Sequence, residues 1–263
     1  MIDTTILNWT LGQALAALVI LTRVGPLIFF MPIIGSRAVP TQVKVLFALA
    51  ISLTLVTVVP VGPTDLPETP LGYGVFVIAE VLFGGILALF ARFVFASVQL
   101  AGMMVGIQMG MGMAGVMDPQ FGTQVSPVGQ LWNLLAMLIF LMINGHHTFF
   151  SVLADSFQWV RPGGLHITQA TYNSLIQETT QMFILAVKIM APATAALFFS
   201  HVAMGVIAKT VPQIPILIVG MPLNIGIGLI FVGLSLGYFA PLMINSFETM
   251  GRLLPRLAMG LGM

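Results

Sequence analysis

The sequence predicts an all-α, membrane-associated protein built of helix hairpins, and three observations carry that prediction. Hydrophobic residues make up 58% of the chain and charged ones only 6%, against roughly a quarter charged in soluble domains. Mean hydropathy is +1.06, and the apolar runs are continuous rather than alternating, which does not suit the strands of an outer-membrane barrel. A chain in lipid must satisfy its backbone polar groups internally, so continuous apolar runs become helices.

The apolar segments follow in order. Leu11–Phe30 has no Lys or Arg before Arg23, so the basic region of a signal peptide is missing and the segment is expected to be retained. Val43–Val59 comes after Pro32 and is short for the ~20 residues that cross a hydrocarbon core. Prolines from Pro60 to Pro70 separate it from Leu71–Val94, which can run on towards Met117. Pro119 to Pro127 leads into Val128–Ile143, again short. The loop Val160–Tyr172, with Pro162–Gly164, is the most polar stretch and is expected at an interface. Met182–Ala208 and Ile216–Ile244 close the set, joined across Pro212 and Pro215. No repeat of fixed period is visible, and residues 1–263 read as one integrated domain.

Orientation does not follow from charge counting. Arg37 and Lys44 in the first link argue for a cytoplasmic position, and Asp65 and Glu68 lie in the next link. Six plain crossings would then put Arg252 and Arg256 outside, against the same rule. Either one segment does not cross, or the chain is not threaded through a flat bilayer as a simple bundle.

Several function classes are excluded. A net charge of +1 gives no basic field for nucleic acid. With no cysteine there is no disulfide, thiolate metal site or cysteine nucleophile. No G-x-S-x-G, Walker A or dinucleotide fingerprint occurs, so no catalytic, cofactor-binding or metal residues are assigned and an enzyme is not expected. His146 and His147 point about 100° apart on a helix, which fits interfacial hydrogen bonding better than one shared metal. His201, alone in an apolar segment, reads as a packing residue.

Arg23, Glu80, Arg92 and Lys188 lie in or at the ends of apolar segments. An ionised group at a bilayer centre costs about 2.5–3.5 kcal/mol on insertion scales, so each must snorkel, pair or face a wet or protein-lined space. Glu80 and Arg92 are about 120° out of phase on one helix and should not pair. Arg23 is a candidate partner for Glu80.

The most distinctive stretch is Gly102–Pro119, with five glycines, six methionines and no charge until Asp118. Gly102, Gly106 and Gly110 recur at the four-residue spacing that lets membrane helices touch closely. From Gly110 on, Gly110-Met111-Gly112-Met113 no longer makes a good helix face, and Asp118-Pro119 ends the run. Unbranched thioethers repack cheaply and glycine permits bending. The composition suits a deformable seal. A short turn, Lys209-Thr210-Val211-Pro212-Gln213-Ile214-Pro215, joins the last two segments.

Taken together, the chain resembles the FliR family of flagellar biosynthetic proteins in the type III export gate. The resemblance spans nearly the whole length. It rests on Arg23-Val24-Gly25-Pro26, Glu80 with Gly84 and Gly85, Ala101-Gly102, Gly106-Ile107-Gln108-Met109-Gly110 and Asp118-Pro119. It continues through Asn144-Gly145-His146-His147, Ser156-Phe157, Pro212-Gln213, Gly220 and Pro222-Leu223. One position departs from the family pattern: an asparagine commonly stands where this chain has Pro215, so any contact of that amide is lost while the turn should survive.

The resemblance implies a subunit packed in a helical, conical hetero-oligomer with FliP-like and FliQ-like proteins. An FlhB-like protein would lie on its cytoplasmic side, and the whole would sit within the basal-body ring of the bacterial inner membrane, in contact with lipid. Residues 1–180 would be FliP-like and residues 181–263 FliQ-like. Unfolded flagellar subunits would pass through, and the raised assembly would account for the failed charge rule. Gly106–Gly122 would be the plug loop, with Gly106, Gln108, Met109, Gly110, Met111, Gly112, Met113, Asp118 and Pro119 as plug and gating residues. Met109, Met111 and Met113 would seal the resting channel. Arg23, Glu80, Arg92, Pro212 and Gln213 would make subunit contacts. Two other readings are the equivalent subunit of a virulence injectisome and a small-solute secondary transporter built around Glu80, Arg92 and Lys188.

Overall fold

A computed structural model describes residues 4–36, 38–59, 67, 69–111, 126–213 and 215–262. Of the positions singled out above, Arg37, Pro60, Asp65, Glu68, Gly112, Met113, Met117, Asp118, Pro119, Gly122 and Ile214 lie outside the described residues. Among those described there are helices and turns and no strand. The helices are α1 (Thr4–Phe30), α2 (Thr41–Val56), α3 (Pro70–Gln108), α4 (Pro127–Met142), α5 (Gly145–Trp159), α6 (Gln169–Thr210) and α7 (Ile216–Gly260).

Their ends follow local chemistry. Thr69 caps α3, its Oγ1 accepting from the Gly72 N–H at 3.2 Å, with Pro70 as first helical residue. Ser126 caps α4 with Pro127 behind it. Thr168 caps α6 by accepting from the Thr171 N–H at 3.3 Å. Between α4 and α5, Asn144 lies in the left-handed region at φ 55°, a conformation asparagine tolerates better than most residues.

Several sequence expectations are corrected here. The fourth apolar segment is followed by a separate helix, α5, so His146 and His147 open that helix rather than end the segment before it. Periodicity hid it, because α5 is apolar on one face only: Phe149, Val152, Leu153 and Phe157 are buried while Gln158 is exposed. Helices α6 and α7 outrun their apolar segments, since the polar residues from Gln169 and those up to Gly260 continue the helix. The end of the polar loop, Gln169–Tyr172, is thus helical. Likewise Gly106, Ile107 and Gln108 belong to the last turn of α3 and not to a loop. His201 is exposed on α6 and not packed, because the buried face of that helix carries Leu197, Ser200 and Met204 instead.

Length also bears on topology. Helix α2 has 16 residues, about 24 Å, too short for a ~30 Å core. Counting α4 with α5 as one bent span, up to five crossings are possible by length and composition. Without α2, five crossings would put Arg252 and Arg256 on the same side as Arg37 and Lys44, whereas four would not. The 39, 42 and 45 residues of α3, α6 and α7 make helices of roughly 58, 63 and 68 Å. Each is about twice the thickness of a hydrocarbon core. Such helices must extend well beyond it.

The chain forms two compact units. One holds Met1–Phe93, Asn144–Glu178 and Glu248–Met263, the other Val94–Ile143 and Thr179–Phe247. In the first, α1 buries Ile20, Val24, Leu27 and Ile28 along one stripe, and α2 packs back on α1. In the second, Trp132 stacks on Phe239 at 6.1 Å and Phe95, Phe140 and Phe247 meet pairwise. Ser200 Oγ donates to Asn224 Oδ1 at 2.6 Å, tying α6 to α7 inside that unit.

Candidate functional site

In the first unit the apolar core encloses an ion pair. Arg23 on α1 and Glu80 on α3 are 0% and 1% exposed. The guanidinium engages the carboxylate as a fork, Nε to Oε2 at 2.6 Å and Nη2 to Oε1 at 2.9 Å. Its remaining donors reach Ser156 Oγ at 3.2 Å and the Val160 carbonyl at 3.3 Å. The Gly163 N–H donates to Glu80 Oε1 at 2.8 Å. The guanidinium carbon lies over Phe83 at 4.3 Å and over Phe157 at 4.2 Å, so two aromatic rings pack on the cation.

Two glycines let this cluster close. A Cβ on Gly84 would collide with the Arg23 carbonyl, so α1 and α3 touch there backbone to backbone. Gly163 has φ 78°, and a Cβ would fall 2.6 Å from the Phe76 ring. The expected partnership of Arg23 with Glu80 is therefore present, and Glu80 does not pair with Arg92. Both side chains are buried and paired inside the chain. Arg92 is exposed, its guanidinium 5.8 Å from the Phe30 ring centre. Sequence reasoning did not link Val160 or Gly163 to this cluster. Positive φ at Gly163 is legible only as a Pro-Gly-Gly turn, and the acceptor at Val160 is a carbonyl that no side-chain pattern marks.

In the second unit, α3 ends in a tightly specified cap. The Met111 N–H donates to the Gly106 carbonyl at 3.0 Å and the Gly110 N–H to Ile107 at 2.9 Å, with Gly110 at φ 84°. This is the Schellman arrangement, which needs a left-handed residue just past the helix. Upstream, a Cβ on Gly102 would run into the backbone of Gly129, and one on Gly106 into Ser126. The four-residue glycine spacing thus seats α3 against the start of α4.

Met109 is fully buried, and a Cβ on Gly228 of α7 would meet its thioether at 2.8 Å or less. Met111 is half-exposed. Gln108 Oε1 is buried without a hydrogen-bond partner among the described residues. The structure thus brings Gly106, Gln108, Met109, Gly110 and Met111 together as the anchored start of the run. Gly112, Met113, Asp118 and Pro119 fall beyond the described residues.

Pro212 and Gln213 are exposed in the turn between α6 and α7. The Pro215 carbonyl accepts from the Ile218 and Val219 N–H groups at 2.9 and 3.3 Å, so proline opens α7.

The family described as bacterial export proteins, family 1, matches residues 14–250. The chain is 31% identical over 251 residues to the flagellar biosynthetic protein FliR of Bacillus subtilis (strain 168), covering 91% of this chain and 94% of that one. It is 28% identical over 234 residues to the protein of the same name from Escherichia coli (strain K12), with 89% of each covered. For the FliR of Aquifex aeolicus (strain VF5) the identity is 27% over 226 residues, with 86% of this chain and 87% of that one covered.

Proposed function

The chain belongs to the bacterial export proteins, family 1, and from that premise we propose that it is a core subunit of the flagellar type III export gate. In this reading it helps to form and to seal the channel through which unfolded flagellar subunits leave the cell. The observation that carries it is likeness along nearly the whole chain to proteins named for flagellar biosynthesis. The same names favour the flagellar over the injectisome reading. The protein is a helical membrane component of the flagellum, and we place it in the inner membrane at the basal body. FliP-like, FliQ-like and FlhB-like proteins are its proposed partners, and its role is structural rather than catalytic. Helices about twice the thickness of a hydrocarbon core support a subunit that stands partly outside the bilayer.

Within this reading the roles divide. Arg23 and Glu80 brace α1 against α3 from inside. Arg92, Pro212 and Gln213, all exposed, meet neighbouring subunits. The segment from Gly110 to Gly122 plugs the resting channel, and Met109 holds its base in the core while Met111 and Met113 line the seal. The same reading makes the part up to about residue 180 FliP-like and the part after it FliQ-like.

The test is the native mass of the detergent-purified chain co-expressed with FliP-like and FliQ-like subunits. A discrete hetero-oligomer with one copy of this chain is expected. A monomer or homodimer that ignores those subunits would overturn the reading. Deleting Gly110–Val116 should then raise ion leakage through the resting gate, and unchanged leakage would remove the plug role.

A further inference from the structure

Helix α6 divides sharply into two faces through its apolar middle. Leu185, Ala186, Ile189, Ala193 and Leu197 are buried on one side. At 100° per residue, Ile184, Val187, Phe198, Phe199, Val202 and Val206 fall on the opposite side, with Phe199 70% and Val206 61% exposed. Lys188 lies on that same exposed apolar face.

Among the described residues this lysine forms no ion pair, the only one being Arg23–Glu80. The compact unit that contains Lys188, Val94–Ile143 with Thr179–Phe247, has no Asp or Glu in its sequence apart from Asp118. Pro192 lies four residues on and has no N–H to give to the Lys188 carbonyl. A cationic donor and a freed backbone acceptor therefore occur at one point of a face that is otherwise apolar. Lipid tails satisfy neither, and a cation left among them is costly.

We infer that this face of α6 docks a second apolar helix that carries a carboxylate opposite Lys188. The stripe from Ile184 to Val206 is about 33 Å long, the length of a helical contact and not of a single side-chain pocket. Ala191 and Ala195, both exposed in its middle, have the four-residue spacing that allows two helix backbones to approach. A protein segment supplies both missing groups, an acid for the ammonium and a donor for the carbonyl. An anionic lipid phosphate supplies only the first. The inference extends the proposed membership of an assembly and rests on it.

The test uses the full chain co-expressed with its proposed partners, with Lys188→Met, Lys188→Arg and Lys188→Glu variants, and a photo-crosslinking phenylalanine analogue at Val187 in cells. Lys188→Met and Lys188→Glu should lower recovery of one neighbouring subunit by at least about tenfold, while Lys188→Arg retains it. The crosslink from Val187 should map to a polypeptide with an Asp or Glu within one helical turn, and exchanging that acid for lysine should restore assembly of Lys188→Glu. Recovery of Lys188→Met at the wild-type level, or crosslinks to lipid only, would overturn the docking face while leaving the export-gate reading intact. If the wild-type chain joins no assembly, the export-gate reading fails, and the crosslink from Val187 still decides the docking face.

Discussion

Replacing Glu80 with glutamine removes one charge from a site that water does not reach, and the structure allows the cost to be worked out. The carboxylate accepts three hydrogen bonds, from Arg23 Nε, Arg23 Nη2 and the Gly163 N–H. A glutamine keeps one acceptor oxygen and turns an NH₂ towards another donor, so at least one of the three is lost. The guanidinium, 0% exposed, is then left with Ser156, the Val160 carbonyl and two aromatic rings. Breaking a buried pair by neutralising one partner costs about 3–5 kcal/mol, because the other charge stays buried. At about 2–4 °C per kcal/mol for a chain of this size class, Tm falls by roughly 6–20 °C.

Thermal unfolding in detergent, followed by tryptophan fluorescence, reads this directly, and Trp159 adjoins the Val160 acceptor. The double variant Arg23→Met/Glu80→Leu replaces both charges with apolar groups of similar volume and should recover to within about 2 kcal/mol of wild type. A Tm of Glu80→Gln within about 2 °C of wild type would refute the reasoning. So would a double variant as unstable as the single one.

Three further outcomes are expected from the same measurement. Gly102→Ala should destabilise by about 1–3 kcal/mol, because its new Cβ meets the Gly129 backbone. The reciprocal Gly129→Ala should be nearly silent, since its Cβ would lie 3.4 Å or more from Gly102 and Met103; equal effects would contradict the observed approach. Met109→Ala should cost about 2–5 kcal/mol by opening a cavity beside Gly228, whereas half-exposed Met111→Ala should stay within about 0.5 kcal/mol. Ser200→Ala should cost about 1–3 kcal/mol, because buried Asn224 Oδ1 loses its donor.

Much of the site's position was legible in the sequence, and particular residues show where legibility stopped. Proline and glycine marked the helix ends well: Pro70, Pro127 and Gly110 each act through local backbone geometry, which neighbouring residues determine. The Arg23–Glu80 pairing could be nominated because ionised groups in apolar runs need partners. Its backbone members could not, since a carbonyl at Val160 and an N–H at Gly163 are the same in every sequence. The glycine spacing pointed to close helix contact but not to Gly129 or Ser126 as the surfaces met. Met109 and Met111 look alike in sequence. One is core and the other half-exposed because the Schellman turn at Gly110 separates their directions.

By itself the sequence determined what local and compositional physics can determine: an all-helical chain for an apolar setting, the breaks between its helices, the charges in need of partners and the residues of the family pattern. The tertiary structure decided which faces are spent internally and which are left open. It closed Arg23 on Glu80, buried Met109 against Gly228, and left Lys188 and His201 outward on α6. Those outcomes depend on which helices meet and at what register, a property of contacts distant in sequence that no window of neighbouring residues contains.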